Sequence, residues 1–207
     1  MRLVFPRAIA LAVAVAVTGA AAAPLAMAQA GDAAQAPVRA LDDGLLAIMR
    51  RGKAAGVRGR SAAIAPVIDR VFDLPLMTRL AVGPSWTTTA PAERAALVAA
   101  LRRMTIAQYA ANFDEFSGQS FTIDPRVEVR GTDQLIRTTL NDPKGAPVAI
   151  AYRLRGGAGG WKIIDVFYRN SISQLATRRS DFARVLASGG AGALTAHLNA
   201  LAAKAGG

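Results

Sequence analysis

The residues that could do chemistry are few, and spacing decides each case. Gly156-Gly157-Ala158-Gly159-Gly160 is rich enough in glycine to cradle a phosphate. No Lys-Ser/Thr follows it, and it lies between two strand-like runs, where a hairpin turn is the ordinary reading. Asp114-Glu115 pairs two carboxylates, but adjacent helix positions point about 100° apart and do not converge as an acid/base dyad. His197 is the one histidine, set on the apolar face of the last helical run, where a structural imidazole outweighs a catalytic one. Asp165, between Ile164 and Val166 in mid-strand, is the oddest charge. Pairing with an arginine such as Arg137 or Arg153 is the expected arrangement, and a buried acid is the alternative. The chain has no Cys, which removes disulfide scaffolds, zinc ribbons, thiol catalysis and a lipidated-Cys anchor. One His removes any multi-His metal site. No catalytic residue, metal site or cofactor is implied.

What remains is a binding or structural protein, and composition narrows its setting. The 207 residues are 52% hydrophobic, too apolar for a disordered chain and enough for one domain with a substantial core. Lys and Arg number 25 against 14 Asp and Glu, giving +11 and pointing to anionic partners. Residues 1–28 read as a secretory signal. Arg2 and Arg7 form the positive start, 8–23 is an almost unbroken Ala/Val/Leu run, and Ala26-Met27-Ala28 is an A-x-A cleavage site. An uncleaved anchor is the competing reading, against which the run is short and its residues small. Cleavage leaves 29–207 as a single domain and, by removing Arg2 and Arg7, takes +11 to +9. Export places the chain among lipid headgroups and envelope proteins, so nucleic acid is not the expected partner. No second long apolar run follows, which predicts a soluble mature chain.

The elements that would position a site follow from periodicity. Residues 29–38 read as a small-residue linker. Helical spacing begins near Ala40, with Leu41, Leu45, Ile48 and Met49 on one face. Arg50, Arg51, Lys53, Arg58 and Arg60 form the densest basic stretch, either a solvated helix end or a docking patch for anionic lipid or an acidic partner. A second helix covers 61–71. Asp73 can cap a third, with Pro75 in its first turn and Gly83-Pro84 ending it. The strongest helix covers 91–116, with Leu97, Leu101, Thr105, Tyr109 and Phe113 at four-residue steps. Beyond Ser117-Gly118 the period becomes two. Four strands follow: 121–129, interrupted at Asp124-Pro125, then 134–140, 148–155 and 161–168, joined by short turns as an antiparallel meander. Two helices, broken at Gly189-Gly190, close the chain. The fold class is α+β: N-terminal helices, a curved antiparallel four-stranded sheet, then C-terminal helices.

Several of these segments carry a family resemblance. Phe72-Asp73-Leu74, Met77, Leu80, Val82-Gly83, Trp86, Tyr109 and Phe116-Ser117-Gly118 resemble the periplasmic lipid-carrier family of the Mla pathway (MlaC), also called the toluene-tolerance family. Pro147 to Leu154, Trp161 to Val166, Arg179, Phe182 and Gly189-Gly190 agree. The run from Ser171 to Phe182 is similar to a narrower branch, the hopanoid-associated members (HpnM). Asn170 departs from the family's usual Gly after the last strand, but Asn tolerates a left-handed backbone.

The resemblance implies a soluble periplasmic carrier that encloses lipid tails between a curved sheet and its helices. It implies hopanoid or phospholipid as cargo. The implied partners are an inner-membrane MCE-type ABC transporter or related lipid exporter, and an outer-membrane lipid complex. On that reading Val148, Ile150, Tyr152 and Leu154 form the sheet wall, with Ile164, Val166 and Tyr168 on the next strand. Leu101, Tyr109, Phe113 and Phe116 form the helical wall. Leu76, Met77, Leu80 and Trp86 line or gate the mouth. The same residues would also build a solid core, which periodicity cannot distinguish from a pocket wall. Two other roles compete: an enzyme on an apolar isoprenoid, with Asp165 and Tyr152 as its acid/base pair, and an envelope adaptor using the basic stretch.

Overall fold

The computed structural model describes the backbone of residues 22–206 and the side chains of residues 33–206. The first helix, α1, spans Ala22–Arg51. The expected leader at 1–28 lies largely outside the described residues. The expected linker at 29–38 is instead part of α1, with Ala34 and Val38 fully buried. Its alanines favour helix despite Gly31 and Pro37, and Ala34 and Val38 extend the stripe that continues through Leu41, Leu45 and Ile48.

A 3-10 turn at Lys53–Ala55 leads into α2, Gly56–Val71. The basic stretch between them is partly used by the fold. Arg60 is 3% exposed and donates from Nε to the Ala110 carbonyl and from Nη1 to the Gly52 carbonyl, both at 2.8 Å. Lys53 pairs with Glu115, and Arg50 lies 5.0 Å over the Phe116 ring. Helix α3 spans Leu74–Val82, capped as expected by Asp73, whose Oδ1 accepts from the Leu76 amide at 2.9 Å. Helix α4 spans Pro91–Asn112, one turn shorter than its apolar stripe implies, because the chain turns out of helical geometry at Phe113 (φ −117°, ψ 68°).

The sheet has five antiparallel strands in sequence order, not four. They are β1 Ser120–Arg130, β2 Asp133–Asn141, β3 Val148–Gly157, β4 Gly160–Tyr168 and a short β5, Ile172–Ser173. β5 has two residues, too few for a period to show in sequence. Its turn is made by Arg169 and Asn170, both left-handed (φ 51° and 57°). The register of β1 shifts between Ile123 and Val127. There the Gln35 side chain of α1 donates to the carbonyls of Asp124 and Pro125 at 3.4 Å, tying helix to sheet.

β4 also carries an irregularity. Tyr152 pairs with Val166 and Arg153 with Asp165, but Leu154 pairs with Ile163, so Ile164 is the extra residue of a bulge. Beyond the bulge, Ile163 rather than Ile164 stands opposite Leu154. The free edge of β4 is covered at one end by β5 and at the other by Phe72, which bridges to Ile163 while the Asp73 amide donates to the Ile163 carbonyl at 2.9 Å.

Helix α5, Gln174–Gly206, is two arms joined where Gly190 leaves helical geometry (φ 67°, ψ −163°). Its start is fixed by Asp165. This carboxylate is 3% exposed and pairs with neither Arg137 nor Arg153. Arg137 bonds Glu128, and Arg153 bonds Asp133. Asp165 instead accepts from the Val166 amide (2.7 Å), the Ser173 hydroxyl (2.6 Å) and the Leu175 amide (2.9 Å), while Ser173 Oγ accepts from the Ala176 amide at 2.9 Å. Two N-terminal amides of α5 are thereby satisfied by a strand side chain and its hydroxyl relay.

Asp165→Ala removes a buried acceptor and leaves those donors without it. The expected cost is about 2–4 kcal/mol, or a fall in melting temperature of roughly 5–15 °C for a chain of this size, with Asp165→Asn losing less. Thermal melts of the two variants check it, and an unchanged melting temperature for Asp165→Ala would refute the anchoring role.

Candidate functional site

Between the sheet and the helices lies a cavity of about 550 Å³. One face of the sheet makes one wall. Alternation brings Val148, Ile150 and Tyr152 of β3 to that face, and register sets Leu140 of β2 beside Val148, Tyr168 of β4 beside Ile150, and Val166 beside Tyr152. Helix α4 supplies the facing wall at helical spacing: Thr105, Gln108, Tyr109 and Asn112, followed by Phe113. Leu45 of α1, Phe72, Met77 of α3, and Gln174 and Arg178 of α5 complete it. Tyr168 is 41% exposed and marks the outer rim.

Three aromatic rings run along the helical side. Tyr109 stacks on Phe113 with centroids 5.9 Å apart and 22° between planes, and meets Phe72 at 6.0 Å and 47°. These offset contacts hold the rings against each other. Phe72 is placed there by its bridge to β4, and Tyr109 by the α4 stripe.

Eight of the fifteen expected residues line this cavity: Met77, Tyr109, Phe113, Val148, Ile150, Tyr152, Val166 and Tyr168. Seven do not. Leu101 and Leu154 are fully buried core one step beyond the cavity on their elements. Leu76 packs against the core from α3. Leu80 and Trp86 line a separate groove with Arg79, Arg94 and Arg179, where the Arg94 guanidinium lies 5.4 Å over the Trp86 ring. Ile164, displaced by the bulge, lines another depression with Leu80, Arg153 and Arg155. Phe116 is 40% exposed beneath Arg50.

The wall also holds residues that the sequence reading did not choose. Leu45, Phe72 and Thr105 belong to stripes or motifs visible in the sequence. Gln108, Asn112, Gln174 and Arg178 are polar and depart from the apolar wall that a tail-binding cavity implies. Their positions were legible: Gln108 and Asn112 stand three and seven residues after Thr105, and Gln174 and Arg178 are four apart.

Electrostatics at the site are set by burial. The Tyr109 phenol is pushed up to about 12 by desolvation. Tyr152, fully buried, is pushed well above its ordinary value for the same reason. Both therefore stay neutral. Asp42 of α1 is close enough for its charge to act on both phenols. It is 4% exposed, and neither carboxylate oxygen has a hydrogen-bond partner. Desolvation, helped by the charge of Asp43, raises it to about 8, so it is largely protonated at neutral pH. Tyr152 and Asp165 do not form an acid/base pair. Adjacent register positions put Tyr152 with Val166 on the cavity face, while Asp165 stands opposite Arg153 on the other. His197 is exposed on the second arm of α5.

Among the described residues no group of three or more His, Cys, Asp or Glu could hold a metal ion, and no helix is long and apolar enough to cross a membrane. The sequence profile described as MlaC protein matches residues 39–200. The chain is similar to a solved structure of the phospholipid-binding protein from Ralstonia solanacearum in complex with a phospholipid. Identity is 26% over 84% of this chain and 99% of the other, with a TM-score of 0.73.

Asp42 makes stability pH-dependent with a definite sign. Its pKa is raised from 3.8 to about 8 in the folded state, so between those values the folded chain binds more protons than the unfolded one. Its contribution is complete below about pH 4 and is lost as pH rises through about 8. Asp42→Asn should therefore gain a few kcal/mol relative to wild type at pH 8 and little at pH 4. Chemical denaturation at both pH values measures it, and a gain that is the same at both would refute the assignment.

Proposed function

This chain belongs to the MlaC protein family, and from that premise we propose that it is a lipid carrier whose cavity encloses acyl chains. The observation that carries the reading is the cavity of about 550 Å³, walled largely by apolar and aromatic side chains between the sheet and α4. A site of that size falls within the range of roughly 300–1,000 Å³ found for small-molecule pockets. Burying about fifteen methylenes contributes roughly 12 kcal/mol, which offsets most of the cost of leaving a bilayer without any reacting group.

The cargo is a phospholipid, as in the related Ralstonia complex. The hopanoid of the narrower resemblance is the alternative cargo of the same cavity. The carrier works in the periplasm after loss of a leader at residues 1–28. There it passes lipid between an outer-membrane lipid complex and an inner-membrane MCE-type ABC transporter. The basic surface, formally +11 over the whole sequence, favours encounters with anionic membranes and acidic partner surfaces. The enzyme reading loses its only acid/base pair to the opposed faces of Tyr152 and Asp165.

The test is to fill the cavity. Val148 and Val166 are half-buried lining residues. Val148→Trp and Val166→Trp should leave the fold intact by circular dichroism and lower lipid affinity by about tenfold, about 1.4 kcal/mol. Mass spectrometry of solvent extracts from purified wild type should find phospholipid, and its amount should fall in both variants. A folded wild type that carries no lipid and takes none from vesicles would overturn the reading.

A further inference from the structure

We propose that Arg178 is the anion anchor of the cavity: it holds a phosphate group, which on the lipid-carrier reading is the phosphodiester of a glycerophospholipid. The inference rests on that reading and adds a specific recognition site to it.

Arg178 lies on the first turns of α5 and lines an otherwise mostly apolar cavity. No hydrogen bond or ion pair with another described residue engages its guanidinium, although the side chain is largely removed from solvent. No carboxylate bonds it directly, and Asp165 attracts it only electrostatically. Both Asp165 oxygens accept from Val166, Ser173 and Leu175. Asp133 is held by Arg153 and Arg155, and Asp181 by Arg184. Asp42, beside Tyr109 and Tyr152, is largely protonated at neutral pH. Tyr109 acts on Arg178 but stays a neutral phenol.

A guanidinium cannot shed its charge, and burying an unpaired charge is costly. Burial indeed pulls the Arg178 guanidinium below its ordinary pKa, with only Tyr109 and Asp165 opposing. The fork of N–H donors matches a phosphate bidentately. Gln174 lies one turn earlier on α5, and Gln108 and Asn112 line the facing helix, so carboxamide donors share the wall with the guanidinium. The positive end of the α5 dipole adds to the potential at this position. A neutral apolar cargo would leave the guanidinium donors unbonded, whereas a phosphodiester supplies acceptors and a counter-ion with the headgroup.

The experiment measures uptake by delipidated full-length mature protein from two kinds of vesicle, one of phosphatidylglycerol and one carrying diacylglycerol, which lacks the phosphate. The readout is the ratio of the two. Wild type should favour phosphatidylglycerol, and Arg178→Gln should lower the ratio by about tenfold or more, with Arg178→Lys intermediate. The melting temperature of lipid-free Arg178→Gln should stay level or rise, since no internal pair is broken. A fall in it together with an unchanged ratio marks a structural arginine and overturns the proposal. A third arm adds millimolar inorganic phosphate. If phosphate stabilises wild type but not Arg178→Gln while the uptake ratio is unchanged, the site takes free phosphate and the headgroup assignment is overturned. Uptake of both lipids with no preference overturns this inference alone. Uptake of neither overturns the carrier reading and this inference with it.

Discussion

Asp165 sits in the middle of β4 with its carboxylate turned away from water, and it uses both oxygens on the segment that follows the strand. Everything at the cavity depends on that constraint. The amides it receives fix where α5 begins, and the start of α5 fixes the heights of Gln174 and Arg178 against Val166 and Tyr168. A buried carboxylate is costly unless hydrogen-bonded, so the strand, the two-residue β5 and the helix start are held together as one unit. An arginine partner would have neutralised Asp165 but left the α5 amides without an acceptor. The same face of the sheet shows that pattern at Asp133, whose carboxyl is held below the usual range by hydrogen bonds from Arg155 and Arg153.

The cavity exists because the two walls diverge above a common base. Leu97 and Leu101 of α4 and Leu154 and Ile163 of the sheet are all fully buried and packed solid. One turn further along α4, Thr105 replaces a large apolar residue, and from there the wall residues face space. The aromatic row of Phe72, Tyr109 and Phe113 lines the helical side, its rings in tilted and stacked contact. Close-packed interiors have few voids larger than a water molecule, so an opening of this size carries lost contacts along its whole lining.

Most of the architecture was legible in the sequence, and the missed parts have identifiable causes. The four-residue stripe of α4 and the alternation of β3 placed Tyr109, Phe113, Val148, Ile150 and Tyr152 correctly on facing surfaces, because one period governs each element. Ile164 was misplaced because a single bulge inserts a residue that alternation cannot reveal. Leu101 and Leu154 share their neighbours' faces, and only depth along the element separates wall from base. The segment 29–38 reads as a linker because it holds Gly31, Asp32 and Pro37, yet its alanines are strong helix formers and its buried positions continue the α1 stripe. The polar minority of the lining, Thr105, Gln108, Asn112, Gln174 and Arg178, escapes a search for an apolar wall alone, whereas a lipid is amphipathic.

That polarity also bears on stability. In the interior around the cavity the Thr105 hydroxyl and both Asp42 oxygens have no hydrogen-bond partner. Each such group costs folding free energy. Any ligand that binds the folded chain and not the unfolded one stabilises it in proportion to the logarithm of its concentration over its dissociation constant. An apolar lining alone would have gained affinity for any hydrocarbon. On the proposed role of Arg178, a guanidinium in that lining converts general greasiness into selection, because it penalises every cargo that lacks a negative group at that depth.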